Sequence, residues 1–212
     1  MPLVIAIDGP AASGKGTLAK RLATHYGLPH LDTGLLYRAV AFALIQSGLS
    51  LEDRAAAARA AETLDAGSLT DTRLRDRAMG EAASQISAVP EVRAALLAWQ
   101  RRFAADPAGA VLDGRDIGTV VCPAASVKLF ITASSLERAR RRHRELAGRG
   151  EAASLEGILA DIEARDARDS SRSAAPLRMA DDAVRLDTTE LDAAAAFDEA
   201  RAIIERARAT IG

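Results

Sequence analysis

Nine residues near the N-terminus, Gly9-Pro10-Ala11-Ala12-Ser13-Gly14-Lys15-Gly16-Thr17, fit the pattern G-x-x-x-x-G-K. Glycines let a backbone fold tightly enough for several N–H groups to point at one anion. A helix opening at the same place adds its partial positive charge. Lys15 would then reach the β- and γ-phosphates of a nucleotide. Farther along, residues 110–113 (Ala-Val-Leu-Asp) end a strand with Asp113, where a carboxylate could hold Mg²⁺ through water. Thr17 is the other candidate for that metal. Arginine greatly outnumbers lysine, with only Lys15, Lys20 and Lys128 present, and guanidinium forks suit bidentate phosphate recognition.

One position departs from the plain pattern. Gly16 stands where Ser or Thr usually follows the lysine, and Thr17 comes one place later. G-K-G-T is the form seen in nucleoside monophosphate kinases, where glycine leaves room beside the transferred group. A GTPase switch is disfavoured. Residues 106–109 match D-x-x-G, yet Asp106 lies in a turn before the strand, and no N-K-x-D exists to read guanine.

The elements that must position these groups alternate along the chain. Residues 3–7 read as a buried strand ending at Asp8, and a helix from Lys15 to about Tyr26 stops at Gly27 and Pro29. After a brief His30-Leu31 step, Asp32-Thr33 offers an N-cap for a helix to Ser47, with Gly48 as its stop. Ser50-Leu51-Glu52-Asp53 reads as a capping box for an Ala-rich helix. Residues 65–77 are polar and turn-rich, followed by helices over about 79–89 and from Pro90 to Phe103. Strands are expected at 110–112 and 127–131. A basic helix over about 136–146, capped by Ser134 or Ser135, precedes one over 154–169. A strand at 183–186 and a helix over 193–209 complete the chain. This order predicts an α/β fold of P-loop type, a mainly parallel sheet with helices on both faces and ligands at the carboxyl ends of the strands.

Composition narrows the setting. A chain of 212 residues with 49% hydrophobic and 27% charged residues suits one globular domain. A formal net charge of −1 argues against nucleic acid or an anionic membrane as partner. The single Cys122 fits a buried structural thiol in a reducing cytoplasm, and no apolar run reaches membrane-spanning length. His25, His30 and His143 lack metal-ligand spacing, and Trp99 and Phe103, one turn apart, read as core. A monomer is expected.

Four further segments, with the phosphate loop, resemble the bacterial cytidylate kinases. They are Asp32-Thr33-Gly34-Leu35-Leu36-Tyr37-Arg38; Ala83-Ser84-Gln85 with Val92-Arg93; Asp113-Gly114-Arg115-Asp116-Ile117-Gly118-Thr119; and residues 165–172, continuing into Ala-Ala-Pro-Leu at 174–177. Val127 to Ser134 and Leu186 to Thr189 extend the match over nearly the whole chain. The resemblance implies transfer of a phosphoryl group from ATP to CMP or dCMP, with Mg²⁺. Lys15, Arg38, Arg115 and Arg172 would be catalytic, the three arginines clamping the acceptor phosphate. Gly9 to Thr17, with Arg138 and Arg142 of the basic helix, would hold ATP. Thr33, Tyr37, Ser84, Arg93, Asp116, Arg165 and Asp169 would complete the CMP site. Asp116 with Ser84 would accept from cytosine N4, Arg93 would donate to N3 and O2, and Arg165 and Asp169 would read the ribose.

The implied division is a core at about 1–34, 79–136 and 173–212, an acceptor-binding insert at about 35–78 and a lid at about 137–172. Many family members carry a sheet-forming insertion where this chain has some fourteen residues between Leu64 and Met79. The insert is therefore expected to be reduced and mostly helical. A P-loop kinase for UMP, AMP or shikimate, and a non-catalytic nucleotide sensor, stay open as alternatives.

Overall fold

Residues 4–7, 110–112 and 127–131 form nearly continuous apolar runs, the pattern of parallel strands covered on both faces. The computed structural model describes residues 2–211, with side chains at all but 66, 77, 210 and 211. In it β1 (Val4–Asp8), β2 (His30–Asp32), β3 (Ala110–Gly114), β4 (Val127–Thr132) and β5 (Val184–Asp187) make one parallel sheet. Its order is β2-β3-β1-β4-β5. The His30-Leu31 step is therefore a true edge strand. Its three residues pair along β3, Asp32 lying level with Asp113, a contact that so short a run could not announce.

Helices α1 (Lys15–Tyr26), α2 (Thr33–Gln46), α3 (Arg54–Glu62), α4 (Arg77–Ile86), α5 (Pro90–Ala104), α6 (Ser135–Gly148), α7 (Leu155–Ser171) and α8 (Ala193–Ile211) fill the connections. Between α3 and α4 the chain makes two 3₁₀ segments, Ala66–Thr70 and Thr72–Arg75, and no strand. Local chemistry explains most ends. Gly27 closes α1 with φ +65°, Pro90 opens α5 at its first turn, and Ser134 caps α6 by accepting from the Glu137 N–H. The cap of α3 is Asp53, which accepts from Ala56 N–H, rather than Ser50. Asp32 precedes α2 without a side-chain cap bond.

Alternating strand residues face opposite sides, and two cores follow. Ala6, Ala110 and Leu112 pack against Leu36, Val40, Leu44, Ile86 and Leu96. Ile5, Ile7, Val111, Leu129 and Ile131 pack against Leu18, Leu22 and Ile204. A third, small cluster joins Ala139 and Leu146 of α6 to Ile158 and Ile162 of α7, with Ala12 of the phosphate loop against it. Among the described residues no helix is long and apolar enough to cross a membrane.

Asp8 ties the central strand to the loop after β3. Its carboxylate, buried at the end of β1, accepts from the N–H groups of Ile117 (2.8 Å) and Gly118 (2.7 Å). Gly118 is closely packed, and a Cβ there would crowd the Lys128 chain at 3.1 Å and Asp8 Oδ2 at 3.3 Å. Burial pushes the Asp8 carboxyl up to about 6, against the pull of those two N–H groups.

Asp8→Ala leaves two buried donors unpaired and is expected to destabilise the fold by about 2–4 kcal/mol, lowering Tm by roughly 5–15 °C. A carboxyl raised on folding contributes stability that is present below the unfolded value and lost as pH rises through about 6. The Tm gap between wild type and variant should therefore narrow from pH 4 to above 6; a gap that widens would contradict this reading.

Candidate active site

The carboxyl ends of β2 and β3, with the loop that follows β1, open into one cavity of about 1080 Å³. The phosphate loop forms one wall. Gly9 starts it because a Cβ there would lie 2.1 Å from the Ile131 carbonyl oxygen, so only glycine lets the loop pass β4. Ala12 (φ 57°) and Gly14 (φ 86°) then turn the chain so that α1 begins at Lys15. The first N–H groups of α1 have no partner within the helix and are open to an anion. Lys15 Nζ curls back to donate to the Pro10 carbonyl at 3.2 Å. Burial, then the Arg115 charge, pulls this amine down to about 7 despite Asp113 and Asp32. A polyanion bound beside it would restore its charge.

The other loop residues divide. Ala11, Ala12 and Gly16 line the cavity, whereas the Ser13 hydroxyl is buried without a hydrogen-bond partner. Thr17 is exposed and off the cavity wall. Of the two arginines expected to reach ATP, Arg142 does line the cavity, paired with Glu145 at 2.8 Å. Arg138 does not. It is buried, bonded to the carbonyls of Ala133 and Ala11 and forked onto Asp166 at 3.1 and 2.5 Å. Four of its five N–H donors go to protein oxygens and it lies off the cavity wall, unlike Arg142.

At the strand ends two carboxylates sit side by side. Asp113 Oδ1 accepts from His30 Nε2 at 2.8 Å, and its Oδ2 faces Gly16, 3.7 Å from where a Cβ would be. Burial, then the Asp113 charge, raises the carboxyl of Asp32 above its ordinary range. Thr33 donates to the Asp113 carbonyl at 2.8 Å, and its hydroxyl lies 2.5 Å from where a Gly114 Cβ would stand. That close contact excludes any side chain at 114.

The opposite wall carries the arginines. Arg115 donates to Asp169 Oδ2 at 2.9 Å, Arg165 stands 3.9 Å from the same oxygen, and Arg172 lies 3.5 Å from Oδ1. Burial would raise the Asp169 carboxyl, but these three charges outweigh it and hold it below the ordinary range. Burial and Arg115 pull Arg165 down to about 10. The buried Nε of Arg165 and Nη2 of Arg172 have no hydrogen-bond partner, so this wall presents donors without acceptors. Arg38, from α2, donates to the Leu74 carbonyl at 2.7 Å. Arg93 Nη2 is paired with Asp116 Oδ2, and its guanidinium lies 5.6 Å from the centre of the Tyr37 ring.

Ser84 is off this wall. It is buried behind Ala83 and accepts from Arg168 at 2.9 Å, while Ser87, three residues on, lines the cavity and accepts from Arg172 at 3.1 Å. Asp8, His30, Arg141 and Arg168 were not among the expected site residues. A carboxylate closing the first strand was a usable signal for Asp8. The others are recognisable only by their partners across the fold.

Asp169→Asn removes the charge shared by three guanidinium groups. It is expected to lower Tm by several degrees and to make inorganic phosphate raise Tm more than in wild type. Equal phosphate shifts in the two proteins would show that Asp169 does not balance these arginines.

A sequence model of cytidylate kinase matches residues 5–206. The chain is 73% identical over 203 residues to a cytidylate kinase of Methylobacterium sp. (strain 4-46), covering 96% of this chain and 97% of that one. It is 64% identical over 207 residues to the cytidylate kinase of Xanthobacter autotrophicus, covering 98% and 99%. Among solved structures, an uncharacterized protein from Eubacterium ventriosum superposes with a TM-score of 0.59 at 14% identity, covering 96% of this chain and 98% of that one. A gluconokinase from Sinorhizobium meliloti gives 0.53 at 17%, covering 97% and 93%. These two share the fold alone. On the strength of a match running almost end to end, the chain belongs to the cytidylate kinase family.

Proposed function

We propose that this protein transfers the γ-phosphoryl group of ATP to the phosphate of CMP or dCMP, giving ADP and CDP or dCDP. The observation that carries this reading is a single cavity with a phosphate loop on one wall and Arg38, Arg93, Arg115, Arg165 and Arg172 on the other. Phosphoryl transfer between two anions asks a protein for opposed positive charge, alignment and exclusion of water, with little covalent chemistry.

The loop from Gly9 to Thr17 holds the donor phosphates through its backbone, and Lys15 follows the moving group. Arg38, Arg115 and Arg172 close on the acceptor phosphate, exchanging carbonyl and Asp169 contacts for phosphate oxygens. That phosphate is already anionic, so no general base is required. Asp116 has one oxygen on Arg93, and its carboxylate would accept from the N4 amino group of cytosine, with Arg93 donating to N3 and O2. Tyr37 supports the Arg93 plane, and Arg165 and Asp169 face the ribose. Ser84 acts from behind the wall by holding Arg168.

The paired carboxylates Asp32 and Asp113 fit a hard divalent cation, since burial and the Asp113 charge raise the Asp32 carboxyl and a cation beside it would favour its charged form. Asp113, with Asp32, would hold Mg²⁺; Thr17 is poorly placed for it. Bound with ATP, the ion supplies positive charge to the β- and γ-phosphates. Residues 35–78 serve as the acceptor lobe and 137–172 as the lid. Arg149, in the segment after α6, already reaches the Arg75 carbonyl of the insert at 3.4 Å, across the cavity.

An acceptor panel at fixed MgATP should rank CMP and dCMP far above UMP and AMP; turnover of UMP or AMP with CMP inert would overturn the assignment. Asp116→Asn should narrow the CMP-over-UMP ratio of kcat/KM by about 10–100-fold and leave the KM for ATP essentially unchanged. Lys15→Met should lower kcat by about 10²–10³-fold with CMP still bound, as equilibrium titration would register.

A further inference from the structure

The phosphate loop is held from outside as well as from within. Three of its carbonyls accept from cationic side chains: Pro10 from Lys15 at 3.2 Å, Ala11 from Arg138 at 3.2 Å and Ser13 from Arg141 at 3.4 Å. In a planar peptide the C=O and the following N–H point in opposite directions. Fixing these oxygens therefore aims the N–H groups of residues 11, 12 and 14 the other way. Ala12 sits between two of them at φ 57°, a conformation that a non-glycine residue keeps only when its surroundings impose it.

Arg138 does more than hold Ala11. Its fork onto Asp166 ties the loop to α7, and the next residues around that helix, Arg165 and Asp169, line the cavity opposite the loop. One helix thus touches the acceptor wall with one face and the donor loop, through a single ion pair, with another. Together α6 and α7 have their own small core, separate from the two sheet cores, with Ala12 packed against it. Such a pair can shift as a unit, and both walls of the cavity bias where it sits.

We propose that the Arg138–Asp166 pair couples the two substrate sites, so that an acceptor nucleotide gripped by α7 stiffens the phosphate loop and tightens ATP. Arg138 is in this account a positioning residue that touches no nucleotide. The inference rests on the kinase reading above and goes beyond it. Reciprocity requires that ATP tighten the acceptor by the same factor.

The test is calorimetric titration of the full chain with a non-hydrolysable ATP analogue, with and without CMP, in wild type, Asp166→Asn and Asp166→Glu. Wild type should show about 5–150-fold tightening by CMP. In Asp166→Asn the factor should fall towards one while CMP alone binds nearly as in wild type, and Asp166→Glu, which keeps the charge, should recover part of it. Hydrogen exchange on wild type needs no variant: CMP alone should slow the amides of residues 11–17. An unchanged factor in a folded Asp166→Asn protein, or no slowing in wild type, would overturn the coupling. Failure of CMP to bind wild type at all would instead sink the kinase reading.

Discussion

Three guanidinium groups share the carboxylate of Asp169, and on that one negative charge the rest of the cavity depends. Arginines gathered to face a phosphate repel one another, and burial makes the repulsion stronger. Arg165 shows this directly, its charged form disfavoured by burial and by Arg115. Asp169 stands at the centre of the set and limits how far the three can separate. Its place on α7, one turn beyond Arg165, makes that helix both the counter-charge and part of the wall.

Across the cavity the same rule operates with the signs reversed. Asp32 and Asp113 are forced level by the pairing of β2 with β3, and burial with the Asp113 charge makes the charge of Asp32 harder to keep. Lys15 lies between this carboxylate pair and the arginines, and burial together with Arg115 disfavours its charge. The site is thus two opposed groups of like charge, held in place by strand register and by a few paired ions. A triphosphate with its metal and a monophosphate are the complementary occupants.

Some of this was legible residue by residue. The run from Gly9 to Thr17 declares its shape locally, because glycine placement, the lysine and the helix start are all within one turn of each other. The strand ends at Asp8 and Asp113 and the stop at Gly27 are local in the same way. The arginines could be named from motifs, yet their partners could not. Arg138 and Arg142 look alike on one basic helix. Only the fold sends the first beneath the phosphate loop to Asp166 and leaves the second on the cavity wall. Ser84 and Ser87 are separated by less than a turn, and packing decides which of them meets the cavity.

What the sequence determined by itself was the order of elements, the phosphate loop and the kind of charge the protein would collect. Those features are written in periodicity and short spacing, where neighbours along the chain are neighbours in space. The tertiary structure alone decided that His30 would meet Asp113, that Asp8 would hold Ile117 and Gly118, and that one carboxylate would serve three arginines. The first two span tens of residues or more, and so does the Arg115 arm of the third, whereas Arg165 and Arg172 lie within a turn of Asp169 along the chain. The long-range ones exist because segments far apart in sequence lie side by side, and because a buried charge must find its partner wherever the fold puts one.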